Sequence, residues 1–269
     1  MGLWGRQVIL RFGQAGGDGR EFRGFRVTFD VKMSKESTPN EAIIEAYNLN
    51  PASVALAQAD GAVVELYVGY DIPRLIFRGN PIEDGVRLDR KGVDRVLRLE
   101  CQDGGTAYQE SRVALTFSTQ TSASQIFEAV AASMGLPRGT IRLPDNFVFP
   151  RGMVLNAPAR DVMDRLALAT GSQWFIRDGT LQFVGADEDT GEEAIVFSAK
   201  AGNLIGSPTA KDGGIEIRAL LAPSLRPGKV FSLESEEYSG LYVADDVSFR
   251  GDSGWGTEFY VTASGTPRS

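Results

Sequence analysis

The chain has 269 residues, of which 42% are hydrophobic and 23% charged, so it is long enough for two or three folded domains. Its formal net charge of -7 disfavours nucleic-acid binding by the chain as a whole, because gripping phosphates requires a surplus of Lys and Arg. There is no histidine, which removes the commonest general base and metal ligand, and the single cysteine, Cys101, cannot form an intrachain disulfide.

Alternating apolar residues predict a first β segment. Residues 25–32 alternate most regularly, with Phe25, Val27, Phe29 and Val31 on one face. Pro51 fits the first turn of a short helix over residues 52–59. The other strands of this segment are predicted at residues 7–12, 42–47, 63–68, 74–78 and 93–101, and Cys101 is expected as a small buried residue of the last one.

Two helices are predicted in the middle of the chain. Ser122 or Ser124 can cap the first, which Gly135 ends, and the second begins near Pro158 and ends at Gly171. Their apolar faces consist of Ile126, Phe127, Val130 and Met134, and of Val162, Met163, Leu166 and Ala169. The two helices together should therefore cover one face of a small sheet, for which residues 174–184 are the candidate hairpin.

Asp-Gly pairs are frequent, and both residues accept the positive φ angles of tight hairpin turns. The six pairs begin at Asp18, Asp60, Asp84, Asp103, Asp178 and Asp212. When such pairs stand between alternating apolar residues they favour an antiparallel β protein, and Asp178-Gly179 is the best hairpin turn among them.

A second β segment is predicted after an acidic stretch at residues 185–193. Its strands are predicted at residues 195–197, 214–221, 229–233, 241–249 and 257–263. Residues 228–233 repeat the pattern of residues 61–66, which suggests two similar β domains. We predict a mainly β (α+β) fold of two antiparallel β-barrel-like domains, at residues 1–106 and 186–269, with a two-helix α/β insertion at residues 107–185.

Residues 251–254 (GDSG) resemble the nucleophile motif of trypsin-like proteases. The serine of that motif needs a nearby base, and this chain has no histidine, so a turn between Phe249 and Phe259 is the expected structure. The acidic stretch, with Asp187, Asp189 and Glu192, does not keep the register of a calcium-binding loop, and a solvated turn is expected there.

Three classes of function are compatible with the composition. A glycosidase needs only two carboxylates, so the 35 acidic residues leave that reaction open. A carbohydrate-binding β module should expose clustered tryptophans, and Trp4, Trp174 and Trp255 are far apart in sequence. A structural β protein needs neither feature. The N-terminal residues 1–6 do not form a signal peptide and no run approaches 18 apolar residues, so folding in a cytoplasm without a membrane anchor is expected.

Several short motifs resemble, in the same order, the hub proteins of contractile phage tail baseplates. This family includes the late control protein D group and is related to the hub part of secretion-system spike proteins. The motifs are residues 46–50 (AYNLN), 69–70 (GY), 76–79 (IFRG), 124–127 (SQIF), 159–167 (ARDVMDRLA), 174–181 (WFIRDGTL) and 220–228 (LLAPSLRPG). The resemblance covers most of the chain and breaks at residues 1–24 and 186–213.

The resemblance implies a structural protein without catalytic, cofactor-binding or metal-binding residues. In this family three chains form a ring of two like β domains each, which joins a sixfold tail tube to a threefold spike and lets DNA pass. The implied partners are two further copies of the chain, a tail tube or tube-initiator protein, a central spike protein and other baseplate subunits. No sequence-specific nucleic acid is implied, and the expected location is the virion tail baseplate, after assembly in the host cytoplasm.

Overall fold

The computed structural model describes residues 5–14, 19–143, 146–185, 188–211, 213–254 and 259–268. Seven strands and one helix form the first segment of these residues. They are β1 (Gln7–Gln14), β2 (Gly19–Arg23), β3 (Val27–Ser34), β4 (Glu41–Tyr47), α1 (Pro51–Ala57), β5 (Ala62–Gly69), β6 (Arg74–Lys91) and β7 (Asp94–Gln102).

The middle segment contains three helices and short strands in its described part. It comprises α2 (Gly105–Glu110), β8 (Arg112–Phe117), β9 (Thr121–Ser122), α3 (Ala123–Ser133), β10 (Arg138–Arg142), β11 (Val148–Phe149), β12 (Met153–Pro158), α4 (Ala159–Thr170), β13 (Ser172–Arg177) and β14 (Thr180–Gly185). Helix α4 ends at Gly171, which takes the left-handed conformation as expected.

The last segment is built from strands. They are β15 (Ile195–Ser198), β16 (Thr209–Lys211), β17 (Gly214–Leu220), β18 (Val230–Glu234), β19 (Ser239–Asp252) and β20 (Phe259–Pro267). The predicted mainly β fold with helices in its middle is thus confirmed. The two β segments, however, join in one large sheet whose described strands follow an open path, β16-β17-β20-β19-β3-β4-β7-β6-β5-β1-β2, so that no closed barrel is seen in them.

The two β segments have the same strand order. In the first segment the order is β5-β6-β7-β4-β3, and in the last it is β18-β19-β20-β17-β16. Residues 61–66 and 228–233, which repeat in sequence, lead into and form the equivalent strands β5 and β18. The segments meet where β3 pairs with the second half of β19.

Two hydrophobic cores hold the chain together. One contains apolar residues of both β segments, and the other lies wholly in the middle segment, between helices α3 and α4 and the sheet of β10, β13 and β14. Residues 107–185 thus build a core of their own, whereas the division of the β segments at residues 106 and 186 stays a prediction. No helix among the described residues has the length and apolarity needed to cross a bilayer.

The predicted inward face of β3 is largely correct. Val27, Phe29 and Val31 are buried, but Phe25 is exposed because the strand begins two residues later. Among the four Asp-Gly pairs that the structure describes in full, only Asp178-Gly179 forms a hairpin turn, as predicted, with φ values of 52° and 75°. The pairs at Asp18 and Asp212 lie outside the described residues.

The remaining three pairs do not form hairpin turns. Asp84-Gly85 lies inside β6, where the register of the β6–β7 pair shifts and a Cβ atom on Gly85 would meet the Glu100 carbonyl oxygen at 2.5 Å. Strand β6 therefore continues to Lys91 instead of ending near Arg78. Asp60-Gly61 connects α1 to β5, and Asp103-Gly104 connects β7 to α2.

Replacing Ser122 with alanine should lower the free energy of unfolding by about 1 kcal/mol. The Ser122 hydroxyl accepts a hydrogen bond from the Gln125 amide, and the Gln125 side chain accepts one from the Ser122 amide, which makes a capping box at the start of α3. Urea unfolding measures the change. The control is Ser133→Ala on the same helix, which removes an exposed hydroxyl that donates to the Ala129 carbonyl but accepts from no free amide at the helix start. An equal loss in both variants would contradict the assigned role of the cap.

Candidate interaction surface

The solvent-facing side of the large sheet is a continuous polar face that spans the junction of the two β segments. Its side chains alternate along each strand with residues of the shared core. Along β3, β4, β7, β16, β17 and the second halves of β6 and β19, its acidic members are Asp30, Glu41, Glu45, Asp89, Asp94, Glu100, Glu216, Asp246 and Asp252, and its basic members are Lys32, Arg87, Lys91, Arg98, Lys211, Arg218 and Arg250. These nine acidic and seven basic side chains give the face no excess of positive charge.

Glu45 of β4 is the centre of an ion-pair network on the polar face. Lys91 lies 2.7 Å and Arg98 3.3 Å from its carboxylate, and the Thr28 hydroxyl donates to it at 3.2 Å. Partial burial raises the pKa of Glu45, but the hydrogen bond from Lys91 and the charges around it outweigh burial and hold the pKa below its ordinary value. This carboxylate therefore stays ionised and ties β4 to both neighbouring strands.

The junction of the two β segments has its own ion pair. Arg250 of β19 lies opposite Asp30 of β3 in the strand register, and the two side chains form an ion pair on the polar face. On the core side of the same junction, Phe249 lies opposite Val31, and both are fully buried. The contact between the segments thus combines main-chain pairing, an apolar contact and a charge pair.

A second cluster, the carboxylate joint, consists of Asp103, Asp178 and Arg226 and links all three segments. The Gly179 amide donates to Asp103 at 3.0 Å, and Arg226 donates to Asp178 at 2.9 Å. Burial first, and then the negative charge of Asp178, raise the pKa of Asp103 to about 7. Asp103 and Arg226 are both buried, so the joint is a structural contact inside the molecule and not an open cleft.

The residues considered for chemistry lie in structural contacts. The Ser253 hydroxyl accepts a hydrogen bond from the Val27 amide at 2.9 Å and donates to the Phe25 carbonyl, while Asp252 pairs with Arg26. Residues 255–258, which belong to the expected turn, lie outside the described part. The protease-like motif therefore fastens the end of β19 to the start of β3.

The acidic residues after β14 form ion pairs. Asp189 pairs with Arg142 and Arg268, and Glu192 pairs with Arg177 and Lys229. Asp187 lies outside the described residues. Within the described ranges, no cluster of His, Cys, Asp or Glu side chains is arranged to hold a metal ion.

The described tryptophan and the cysteine are also part of the cores. Trp174 is buried, stacks on Tyr108 and donates to Asp164 at 2.8 Å. Cys101 is a free, buried thiol, and burial raises its pKa to about 12. Trp4 and Trp255, considered for a sugar-binding surface, lie outside the described residues.

Comparison with known proteins places this chain among tail components. The model of a family described as Baseplate hub gp41 matches residues 42–265. The fold is similar to a 43 kDa tail protein of prophage MuSo2 from Shewanella oneidensis, with a TM-score of 0.66, 10% identity and coverage of 98% of both chains. No curated protein matches the sequence.

Two further solved structures have the same fold. A tail protein from Neisseria meningitidis MC58 gives a TM-score of 0.67 at 11% identity, covering 97% of this chain and 96% of the other. The c3393 protein of E. coli, a component of the type VI secretion system, gives 0.62 at 13% identity, covering 91% and 74%. At these identities the likeness concerns the fold alone.

Proposed function

Because the chain belongs to the baseplate hub gp41 family, we propose that it is the hub subunit of a phage tail baseplate and assembles as a homotrimeric ring. Family membership and the shared fold support a structural role in the tail baseplate. The observation that carries the proposal is the family match over residues 42–265, which covers the larger part of the first β segment, the whole insertion and nearly all of the last β segment.

The repeated strand order supports the ring. Two β segments of like topology in each chain give six like positions in a trimer, which suits a sixfold tube on one side and a threefold spike on the other. The proposed partners are therefore a tail tube or tube-initiator protein, a central spike protein and other baseplate subunits. The contractile tail of a virion is the proposed location, after assembly in the host cytoplasm.

We assign the polar face of the sheet to the wall of the central channel. This face crosses the junction of the two segments without interruption, and several of its charges form ion pairs within the chain. A wall of this kind offers DNA no excess of positive charge to hold it, so DNA can pass.

No enzymatic activity is part of the proposal. A glycosidase needs two carboxylates that flank a substrate in an open cleft, with a separation that leaves room for the sugar. The carboxylates of Asp103 and Asp178 are instead part of the joint, where Asp103 is 1% exposed and Asp178 is paired with Arg226. The joint supports a role in holding three segments together.

The mass of the purified protein in solution tests the ring. Size exclusion coupled to light scattering should give three times the 29.1 kDa of one chain, for the protein alone or mixed with the spike protein encoded beside it. A protein that stays monomeric in both samples contradicts the trimer. The same preparation, incubated with peptidoglycan, should release no reducing sugar; release would favour the glycosidase.

A further inference from the structure

Several strand edges of the large sheet remain without a neighbouring strand in the described part of the chain, among them the outer edges of β2 and β15. Two others can be matched to each other by comparing the two β segments. One is the outer edge of β16, the first strand of the sheet order. The other is the second half of β6, because β5 pairs only with residues 74–79 of this long strand, whereas the pairing of β6 with β7 on the opposite side continues to Lys91. Exposed strand edges are templates for pairing with another chain.

The contact between the two β segments shows how these edges fit together. β6 and β19 are equivalent long strands. The first half of β6 pairs with β5, and β6 pairs along its length with β7; in the same way, the first half of β19 pairs with β18, and β19 pairs along its length with β20. The second half of β19 pairs with β3, and the strand equivalent to β3 in the last segment is β16. The second half of β6 is therefore the position at which a β16 strand belongs.

The strand registers define the equivalent residues. Leu88 lies opposite Leu97 in β6–β7, as Phe249 lies opposite Val261 in β19–β20. In β3, the core-facing residue next to Phe249 is Val31. Its counterpart in β16 is Ala210, because Val31 pairs with Ala42 of β4 in the same way as Ala210 pairs with Ile215 of β17. Leu88 and Ala210 thus correspond to the pair Phe249–Val31.

We propose that β16 of one copy of this chain pairs antiparallel with the second half of β6 in the next copy, with Ala210 opposite Leu88. Thr209 then lies opposite Asp89, as Asp30 lies opposite Arg250 inside the chain. The inference rests on the proposed function, because it describes the interface between neighbouring copies in the proposed ring. The contact is head-to-tail, so it continues from copy to copy until the ring closes.

Burial supports this partner. Phe249 and Val31 are fully buried at the internal junction, whereas Leu88 is 54% exposed and Ala210 is exposed at the two free edges. Covering an exposed leucine on the core side of a sheet stabilises the contact by roughly 25 cal/mol for each Å² of apolar surface buried. The pairing would also extend the polar face from one copy to the next.

The contact is short. Only Thr209–Lys211 belong to β16, and Pro208 has no amide hydrogen with which to prolong the ladder, whereas β3 offers seven paired residues to β19. On the polar side, Lys211 would lie opposite Arg87 and diagonal to Asp89 of the next copy. Within its own copy, the Lys211 ammonium group lies 2.9 Å from the Glu216 carboxylate. The interface between copies should therefore be weaker than the internal junction.

Disulfide trapping tests the register. The double variant Asp89→Cys/Thr209→Cys, mildly oxidised, should give covalent dimers and trimers on non-reducing electrophoresis, because the two positions of one chain lie on opposite edges and can only meet between copies. The equivalent pair Asp30→Cys/Arg250→Cys should give a disulfide within one chain and no larger species. The shifted pair Asp89→Cys/Lys211→Cys, roughly 7–8 Å apart by the diagonal, should cross-link far less.

The outcomes test the edge pairing and the trimer separately. If light scattering shows an oligomer but the aligned pair cross-links no better than the shifted pair, the edge pairing is wrong and the trimer stands. If the aligned pair gives a ladder that does not stop at three copies, the pairing stands and the trimer is wrong. A monomer without cross-links contradicts both.

Discussion

Replacing Arg226 with methionine should lower the free energy of unfolding by about 3–5 kcal/mol, because it leaves the Asp178 carboxylate without its counter-ion. The Arg226 side chain is 8% exposed and donates to Asp178 at 2.9 Å. Its other nitrogens donate to the carbonyls of Pro223, Leu225 and Leu75, the last of which lies in the first β segment. Methionine keeps the length of the apolar stem but satisfies none of these acceptors. Urea unfolding at neutral pH measures the loss.

Two further variants separate the causes. Arg226→Lys keeps the positive charge but not the planar fork, so it should lose less than the methionine variant and still fall below the wild type. Adding Asp178→Asn to Arg226→Met removes the uncompensated charge and should restore part of the stability. If the double variant is less stable than Arg226→Met by the full effect of Asp178→Asn alone, the two side chains are not coupled and the joint is wrongly assigned.

The sequence predicted the elements that local signals specify. Helix α3 begins at Ser122 because its hydroxyl and Gln125 form a capping box, and α4 ends at Gly171 because only a residue that tolerates positive φ fits there. The hairpin at Asp178-Gly179 is of the same kind. In each case the determining residues lie within a few positions of one another.

The parts that local patterns did not predict depend on distant partners. Asp84-Gly85 has the composition of a hairpin turn, but the pairing of the flanking residues with β7 keeps both inside β6. Likewise, nothing in the alternation of residues 25–32 indicates that this strand pairs with β19, more than 200 residues away. The single large sheet follows from such pairings and not from strand propensities.

The carboxylate joint was missed for the same reason. Asp103 and Asp178 both precede glycine, and each is explained in sequence by a turn. Their burial, their proximity and the approach of Arg226 arise only when three segments pack together. A signal was present in the motif of residues 220–228, which includes Arg226, but it pointed to the family and not to the ion pair.

Replacing Asp103 with asparagine should make the protein more stable at pH 8 than the wild type. The folded-state pKa of Asp103 is raised from 3.8 to about 7 by burial and by the charge of Asp178. Between these values the folded protein holds a proton that the unfolded chain releases, so the free energy of unfolding falls as the pH rises from about 4 to 7. Three pKa units correspond to at most about 4 kcal/mol.

The test follows the difference in unfolding free energy between Asp103→Asn and the wild type from pH 4 to pH 8. The difference should be smallest near pH 4, where the folded protein keeps the proton of Asp103 and the unfolded chain has released only part of it, and should grow in favour of the variant until about pH 7, above which it stays constant. Taking the difference cancels the pH-dependent contribution of carboxylates whose pKa is lowered in the folded protein, such as Glu45 and Glu192, because both proteins contain them. The exposed control Asp60→Asn should follow the wild type at every pH. A constant difference across the range would mean that Asp103 titrates alike in the folded and unfolded chains, and the joint would then hold an ordinary carboxylate.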